Sequence, residues 1–158
     1  MTGPRRVPGR ARSAGLGARL RGPWRVTVVE GSMRPSIESG DWLLLDPTTT
    51  RWPRTGSVVV FREPGSDLLA IKRVAAGPGE RVVFADGYLH LRDDEAWLVG
   101  DATDDELAAA GHGAPVDSRR YGAVPVEALV GRAWFRYWPA GRIGRLPGPR
   151  PGTNLASG

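Results

Sequence analysis

Short stretches of alternating or continuous apolar residues, separated by tight-turn residues, recur along the middle of this chain. Residues 58–61 form such a stretch, and Asp86-Gly87 separates two others in the manner of a two-residue β-hairpin turn. A helix needs an apolar period near 3.6 residues, and only residues 104–110 and one turn at 126–129 suit one. The pattern predicts a mainly β fold, an antiparallel sheet folded over or closed on itself, with one or two short helices.

Charge divides the chain into three parts. All 17 acidic residues and 12 of the 22 basic residues lie between 26 and 140, so the middle carries a net charge of −5. The flanking segments contain only basic charges and are rich in Gly, Pro and Ala, without an apolar period. We therefore predict a disordered basic tail at 1–23, one domain at 24–140, and a second disordered tail at 141–158.

Composition excludes several classes of site and partner. There is no cysteine, so the chain has no disulfide, and its two histidines are too scattered for a metal cluster, so we expect no metal and no cofactor. An acidic domain does not favour specific nucleic-acid binding, although the arginine-rich tails suit a peripheral contact with an anionic membrane. No run of 18 apolar residues and no cleavable signal is present, which predicts a cytoplasmic or peripheral location.

Lys72 is the single lysine among the 22 basic residues. It lies in a predicted strand, 67–74, where period-2 alternation places it on one face with Leu68, Ala70 and Val74. Because that face is otherwise apolar, we expect burial to lower the pKa of Lys72, so that the amine can act as a base where an arginine could not. The alternative is a lysine that extends to solvent from a sheet edge.

Ser32 is the candidate nucleophile. The segment Gly31-Ser32-Met33-Arg34-Pro35 follows the first predicted strand of the domain directly, and a serine on a tight turn can present its hydroxyl. A serine hydroxyl needs a base, which can be lysine as well as histidine. Since neither His90 nor His112 has a carboxylate placed behind it in the sequence pattern, Lys72 is the better candidate.

Four motifs occur in an order that resembles the type I signal peptidase family, the S26-type Ser-Lys serine proteases. They are residues 31–35, 40–43, 71–74 with 77–80, and Gly100-Asp101 with 117–122. The resemblance covers about residues 26–138. The absence of a membrane-spanning segment and the Arg/Ala/Gly/Pro-rich composition are similar to a soluble branch, the nickel-type superoxide dismutase maturation proteases.

The resemblance implies a serine endopeptidase with a signal-peptidase-like β fold. In it Ser32 would be the nucleophile, Lys72 the general base, and the Ser32 backbone N–H the oxyanion donor. The substrate would be a precursor protein or leader peptide bound as an extended strand and cut after small residues, which removes a signal peptide or propeptide. The residues that would support the site are Gly31, Met33, Pro35, Asp117, Ser118 and Arg119.

Two other functions use the same fold. A non-catalytic peptide-binding module is one alternative, because three positions differ from the family pattern: Glu30, Ala102 and Pro115. The second is the self-cleaving domain of a repressor, which would need a DNA-binding domain longer than the first 25 residues allow. Trp134 lies in the last predicted strand, about residues 129–137, and Trp138 follows it; we expect both to pack in the core, and the alternative is an aromatic belt at a membrane interface.

Overall fold

The computed structural model describes residues 18–20, 24–66 and 68–150, and it confirms a mainly antiparallel β fold with two short helices. The strands in this part of the chain are β1 Ala18–Leu20, β2 Arg25–Val28, β3 Trp42–Asp46, β4 Val58–Arg62, β5 Leu69–Ala76, β6 Arg81–Phe84, β7 Gly87–His90, β8 Glu95–Val99, β9 Val124–Pro125, β10 Leu129–Trp138 and β11 Gly144–Arg145. The helices are α1 Asp104–Ala109 and α2 Ser118–Tyr121, with 3₁₀ turns at Val126–Ala128 and Ala140–Arg142.

The main sheet has the strand order β1-β2-β3-β10-β4-β5-β8-β9, with β11 added beside β10. The long β10 therefore lies in the middle: Arg132 is opposite Asp46 of β3 on one side and Val59 of β4 on the other. Strands β6 and β7 form a separate hairpin, as the sequence predicts, but its two turn residues are Ala85-Asp86 and not Asp86-Gly87, because Gly87 already pairs with Phe84.

Strands β4 and β5 are buried on both faces because they lie between two hydrophobic clusters. Alternate residues of each strand point into opposite clusters. One cluster receives Val58, Val60 and Ile71, and the other receives Val59, Phe61, Ala70 and Val74. Lys72 lies on the same face as Ala70 and Val74, which is the apolar face expected from the alternation.

Helix α1 begins with a capping box that its sequence encodes. The Thr103 hydroxyl accepts from the Glu106 N–H at 3.2 Å, and the Glu106 carboxylate accepts from the Thr103 N–H at 2.8 Å. The helix ends at Ala109, one residue before the predicted end, and Gly111 adopts a positive φ of 74° just beyond it. The predicted helix is therefore present in this acidic segment.

The structure differs from the sequence-based expectations at both domain boundaries and at two tryptophans. Strand β1 lies inside the predicted N-terminal tail and pairs with β2. Strand β11 lies inside the predicted C-terminal tail, and Leu146 beyond it packs against the core. Residues 1–17 and 151–158 lie outside the described residues. Trp134 and Trp138 are 44% and 52% exposed, so their expected core position is wrong: they are on the outward face of β10.

Candidate active site

Ser32 lies on the turn that connects β2 to β3. The side chains of Met33 and Ile37 are fully buried in the hydrophobic cluster that also contains Val58, Val60 and Ile71, and they anchor this turn to the protein interior. The Arg34 N–H donates to the Gly31 carbonyl at 3.1 Å, and the Ile37 N–H donates to the Met33 carbonyl at 2.9 Å. The turn is thus closed by its own backbone, with Pro35 on its exposed outer side.

Three carbonyls of the Ser32 turn accept hydrogen bonds from distant parts of the chain. The Ser32 carbonyl accepts from the Ala102 N–H at 3.0 Å. Arg136 of β10 donates to the Ser36 carbonyl at 3.0 Å, and Arg150 donates to the Arg34 carbonyl at 3.3 Å. These bonds fix the backbone of the nucleophile candidate from three directions.

Gly100 permits the close approach of Ser32. A Cβ atom at position 100 would lie 2.5 Å from the Ser32 carbonyl oxygen, well inside van der Waals contact. Only glycine leaves this space empty. The sequence assigned Gly100 to a family motif, and the structure shows the contact that the residue allows.

The Gly40-Asp41 motif holds the start of β3 through buried charge. The Asp41 carboxylate accepts from Arg136 at 2.7 Å and from Arg142 at 3.1 Å, and it also accepts from the Glu38 N–H at 3.0 Å. Arg136 is the same guanidinium that binds the Ser36 carbonyl, so one side chain connects this motif to the Ser32 turn.

Lys72 reaches Ser32 from the centre of β5. Its residue is 3% exposed, and its Nζ lies 2.6 Å from the Ser32 Oγ, across 40 positions of sequence. Burial lowers the pKa of Lys72, while the nearby carboxylates of Glu30, Asp117 and Glu63 oppose that shift in the order given. A buried amine with a lowered pKa, in contact with a hydroxyl, has the geometry for proton transfer.

Arg73 was not singled out from the sequence, although it is among the largest fully buried side chains. It points away from Lys72 and forms a two-pronged ion pair with Asp101, with Nε 2.7 Å from Oδ1, and it donates to the Gly56 carbonyl at 2.7 Å. The pair ties β5 to the residue beside Ala102. Strand β5 and the support of the Ser32 carbonyl are therefore one connected unit.

Asp117, Ser118 and Arg119 connect α2 to the end of β8. The buried Asp117 carboxylate accepts from the Arg119 N–H at 3.0 Å and from the Gly100 N–H at 3.3 Å. The Ser118 hydroxyl accepts from the Leu98 N–H at 2.9 Å. Among the described residues, the hydrogen-bond partner of the Lys72 amine is Ser32 and not Ser118.

A cavity of about 190 Å³ opens at Ser32 and Lys72. Its wall comes from the end of β2, the residue after β4, and the segment that follows α1, and the other lining residues are Glu30, Gly31, Glu63, Leu107, His112, Gly113, Ala114, Pro115 and Val116. Burial raises the pKa of Glu30, and the charge of Lys72 partly offsets this. A larger cavity of about 940 Å³ beside β11 contains neither Ser32 nor Lys72.

The sequence did not point to Glu63 or to the segment 112–116 as parts of this wall. Glu63 could have been found from the β4–β5 register, because it continues the face of Val59, which is opposite Lys72. The segment carries no local signal, since its position depends on where α1 and α2 pack. Between 18 and 150, as far as described, no three His, Cys, Asp or Glu residues are grouped to hold a metal ion.

Comparison with known proteins identifies the family. The family model described as "Signal peptidase, peptidase S26" matches residues 23–100. The signal peptidase I of Leptolyngbya laminosa is 30% identical over 144 residues, which cover 76% of this chain and 70% of the relative. The chain belongs to the S26 signal peptidase family. It is therefore a serine endopeptidase, as the motif order implied.

Other relatives come from bacteria and from organelles. The signal peptidase I of Bacillus caldolyticus is 29% identical, covering 71% of this chain and 78% of the relative. The mitochondrial ATP-independent inner membrane protease subunit 1a of Arabidopsis thaliana is 32% identical, covering 76% and 74%. In the described part of this S26 chain, no helix has the length and hydrophobicity required to span a membrane.

Proposed function

We propose that this S26 peptidase uses Ser32 as nucleophile and Lys72 as general base to remove a signal peptide or propeptide after small residues. The observation that carries the proposal is the 2.6 Å contact between Lys72 Nζ and Ser32 Oγ, made by an amine that is almost completely buried. The relatives named signal peptidase I support the substrate class.

The chemistry proceeds in two acyl-transfer steps. Ser32 Oγ attacks the scissile carbonyl carbon while neutral Lys72 Nζ takes the hydroxyl proton, and the carbonyl oxygen becomes an oxyanion. Collapse breaks the C–N bond, and the proton passes from Lys72 to the leaving amine. Water then attacks the carbonyl carbon of the acyl-enzyme ester and gives a proton to Lys72. The C–O bond to Ser32 breaks, the proton returns from Lys72 to Ser32 Oγ, and the carboxylic acid leaves.

The Ser32 backbone N–H is the proposed donor to the oxyanion. Within the described chain it has no hydrogen-bond acceptor, so it is available to substrate. Loss of one such donor typically costs about 3 kcal/mol of transition-state stabilisation. The hydrogen bonds accepted by the Ser32, Arg34 and Ser36 carbonyls support this role, because they fix the turn and with it the orientation of the Ser32 N–H.

The experiment compares Ser32→Ala and Lys72→Arg with the parent protein on peptides that carry small residues before a single cleavage position. Both variants should lose turnover by about 10³-fold or more, because one lacks the nucleophile and the other carries a guanidinium that does not deprotonate. Ser39→Ala, at an exposed turn serine, is the matched control and should retain activity. Near-normal turnover by Lys72→Arg would exclude the dyad, and tight peptide binding without turnover by the parent would favour a non-catalytic module.

A further inference from the structure

Two carboxylates face the cavity that opens at the Ser32–Lys72 contact, and the reaction gives neither of them a task. Glu30 lies two residues before Ser32, and Glu63 directly follows β4. The β4–β5 register explains the position of Glu63. Val59 is opposite Lys72, and the Glu63 N–H continues the ladder by donating to the Leu68 carbonyl at 2.7 Å, so Glu63 lies on the Lys72 face.

Neither carboxylate has a cation of its own. Among the described residues, no ion pair within 4.0 Å involves Glu30 or Glu63, and Glu63 accepts a single side-chain bond, from Ser66 at 3.2 Å. The only lysine or arginine among the lining residues is Lys72, and His112 also lines the cavity, where its charge lowers the pKa of Glu30 less than the charge of Lys72 does. When Lys72 is neutral, as a general base must be, His112 is the one other basic side chain among the lining residues to oppose the two carboxylates.

An uncompensated charge in a partly desolvated site is unfavourable, and it is relieved by protonation, in keeping with the raised pKa of Glu30, or by an ion of opposite sign. The cavity is also of the right size for such an ion, since about 190 Å³ is roughly six times the volume that a water molecule occupies in the liquid. That space accommodates one long side chain. In the proposed mechanism the substrate lies beside this cavity, because the cavity opens at the Ser32 hydroxyl that attacks the peptide.

We propose that this cavity accepts a lysine or arginine side chain of the substrate, close to the scissile bond, and that Glu30 and Glu63 determine this specificity. The proposal rests on the proposed function and adds a cationic requirement to the small residues expected before the cut. The ammonium or guanidinium group of the substrate compensates the charge of the two carboxylates, as a protonated Lys72 would otherwise do.

The test uses matched peptides in which arginine is replaced by citrulline, which has the same shape and no charge. Arginine is placed in turn at each of the three positions on either side of the cleaved bond, in an otherwise small-residue peptide. At one of these positions the parent protein should cleave the arginine peptide about tenfold faster in kcat/KM than the citrulline peptide. Equal rates at every position, or a preference for citrulline, would overturn the proposal.

Variants assign the preference to the two carboxylates. Glu63→Gln and Glu30→Gln should each reduce the arginine-to-citrulline ratio towards one, and Glu63→Lys should reverse it in favour of a glutamate-bearing peptide. Glu127→Gln, which removes an exposed charge that is not part of the cavity wall, should leave the ratio unchanged. An undiminished ratio in both cavity variants would refute the assignment.

A binding measurement separates this proposal from the proposed function. The Ser32→Ala variant retains both carboxylates and cannot cleave, so fluorescence anisotropy reports the affinity of the labelled arginine and citrulline peptides directly. Tenfold tighter binding of the arginine peptide than of the citrulline peptide supports the cationic subsite, even if the parent protein shows no turnover. An absence of turnover would refute the dyad and leave the subsite intact. Equal affinities together with normal turnover would refute the subsite and leave the dyad intact.

Discussion

Replacement of Gly100 by alanine should damage catalysis more than it damages the fold. The added Cβ would lie 2.5 Å from the Ser32 carbonyl oxygen, whereas ordinary contacts begin at 3.4 Å, so the two groups must separate by about 0.9 Å. Gly100 continues directly from β8 and its N–H donates to Asp117, so we expect the Ser32 backbone to move, against the three hydrogen bonds that hold its turn. A displacement of that size would stretch the 2.6 Å contact between Lys72 and Ser32 beyond hydrogen-bond range.

The expected magnitude follows from the geometry. Misplacement of a reacting group by about 1 Å reduces turnover by roughly 100-fold, and overpacking of this kind costs about 1–3 kcal/mol of unfolding free energy. The assay measures kcat/KM on a small-residue peptide at a temperature where thermal unfolding shows the variant to be folded. The activity loss should therefore exceed what the fraction of unfolded protein explains.

Gly131→Ala provides the matched control. A Cβ there would lie 2.6 Å from the Asp46 carbonyl oxygen and 2.8 Å from Leu45 Cγ, but both residues are on β3 and neither lines the cavity. This variant should lose at least as much stability as Gly100→Ala and keep its activity per folded molecule. If Gly100→Ala retains kcat/KM within about threefold, or if Gly131→Ala loses as much, the close approach of Gly100 does not position Ser32.

Three further predictions concern buried charge. In the proposed mechanism only neutral Lys72 accepts the hydroxyl proton, and burial lowers the pKa of Lys72, so activity should rise with pH through that lowered pKa. Glu30→Gln removes a charge that raises the pKa of Lys72, so this variant should move the rise to lower pH in a rate profile with an uncharged peptide. Lys72→Met should be more stable than the parent near neutral pH, because the unfolded parent chain binds a proton at Lys72 more tightly than the folded protein does. This advantage should disappear as the pH approaches 10.5, the pKa of an unperturbed lysine. Denaturant titrations at the two pH values test whether the difference in unfolding free energy shrinks in this direction. Arg73→Met should lower the unfolding free energy by about 3–5 kcal/mol, because it leaves Asp101 buried without its partner, and a midpoint unchanged from the parent would contradict this.

The sequence predicted the parts of the fold that depend on local chemistry. The hairpin between β6 and β7 is present, with its turn one residue earlier than Asp86-Gly87, and the capped helix α1 is present where its residues indicate, because turn and capping preferences act over a few positions. The motifs also placed Ser32 and Lys72 in one family pattern, and the structure brings their side chains into contact.

Other features depend on long-range packing, which no local pattern encodes. Arg73 is charged and yet buried, since Asp101 is available as a partner 28 positions later. Trp134 was expected in the core but is on the outer face of β10, because alternation alone does not say which face of a strand meets the protein interior. The cavity wall formed by His112 and its neighbours likewise depends on the packing of α1 and α2.

The central position of β10 has a consequence for how this protein is made. The half of the sheet that leads to Ser32 and the half that contains Lys72 meet β10 from opposite sides, so β3 and β4 have free edges until it arrives. On the ribosome, both halves are exposed while the last third of the chain is still being synthesised, and open edges invite pairing with other chains. A nascent chain therefore contains Ser32 and Lys72 well before it contains the strand that joins the two halves of the sheet.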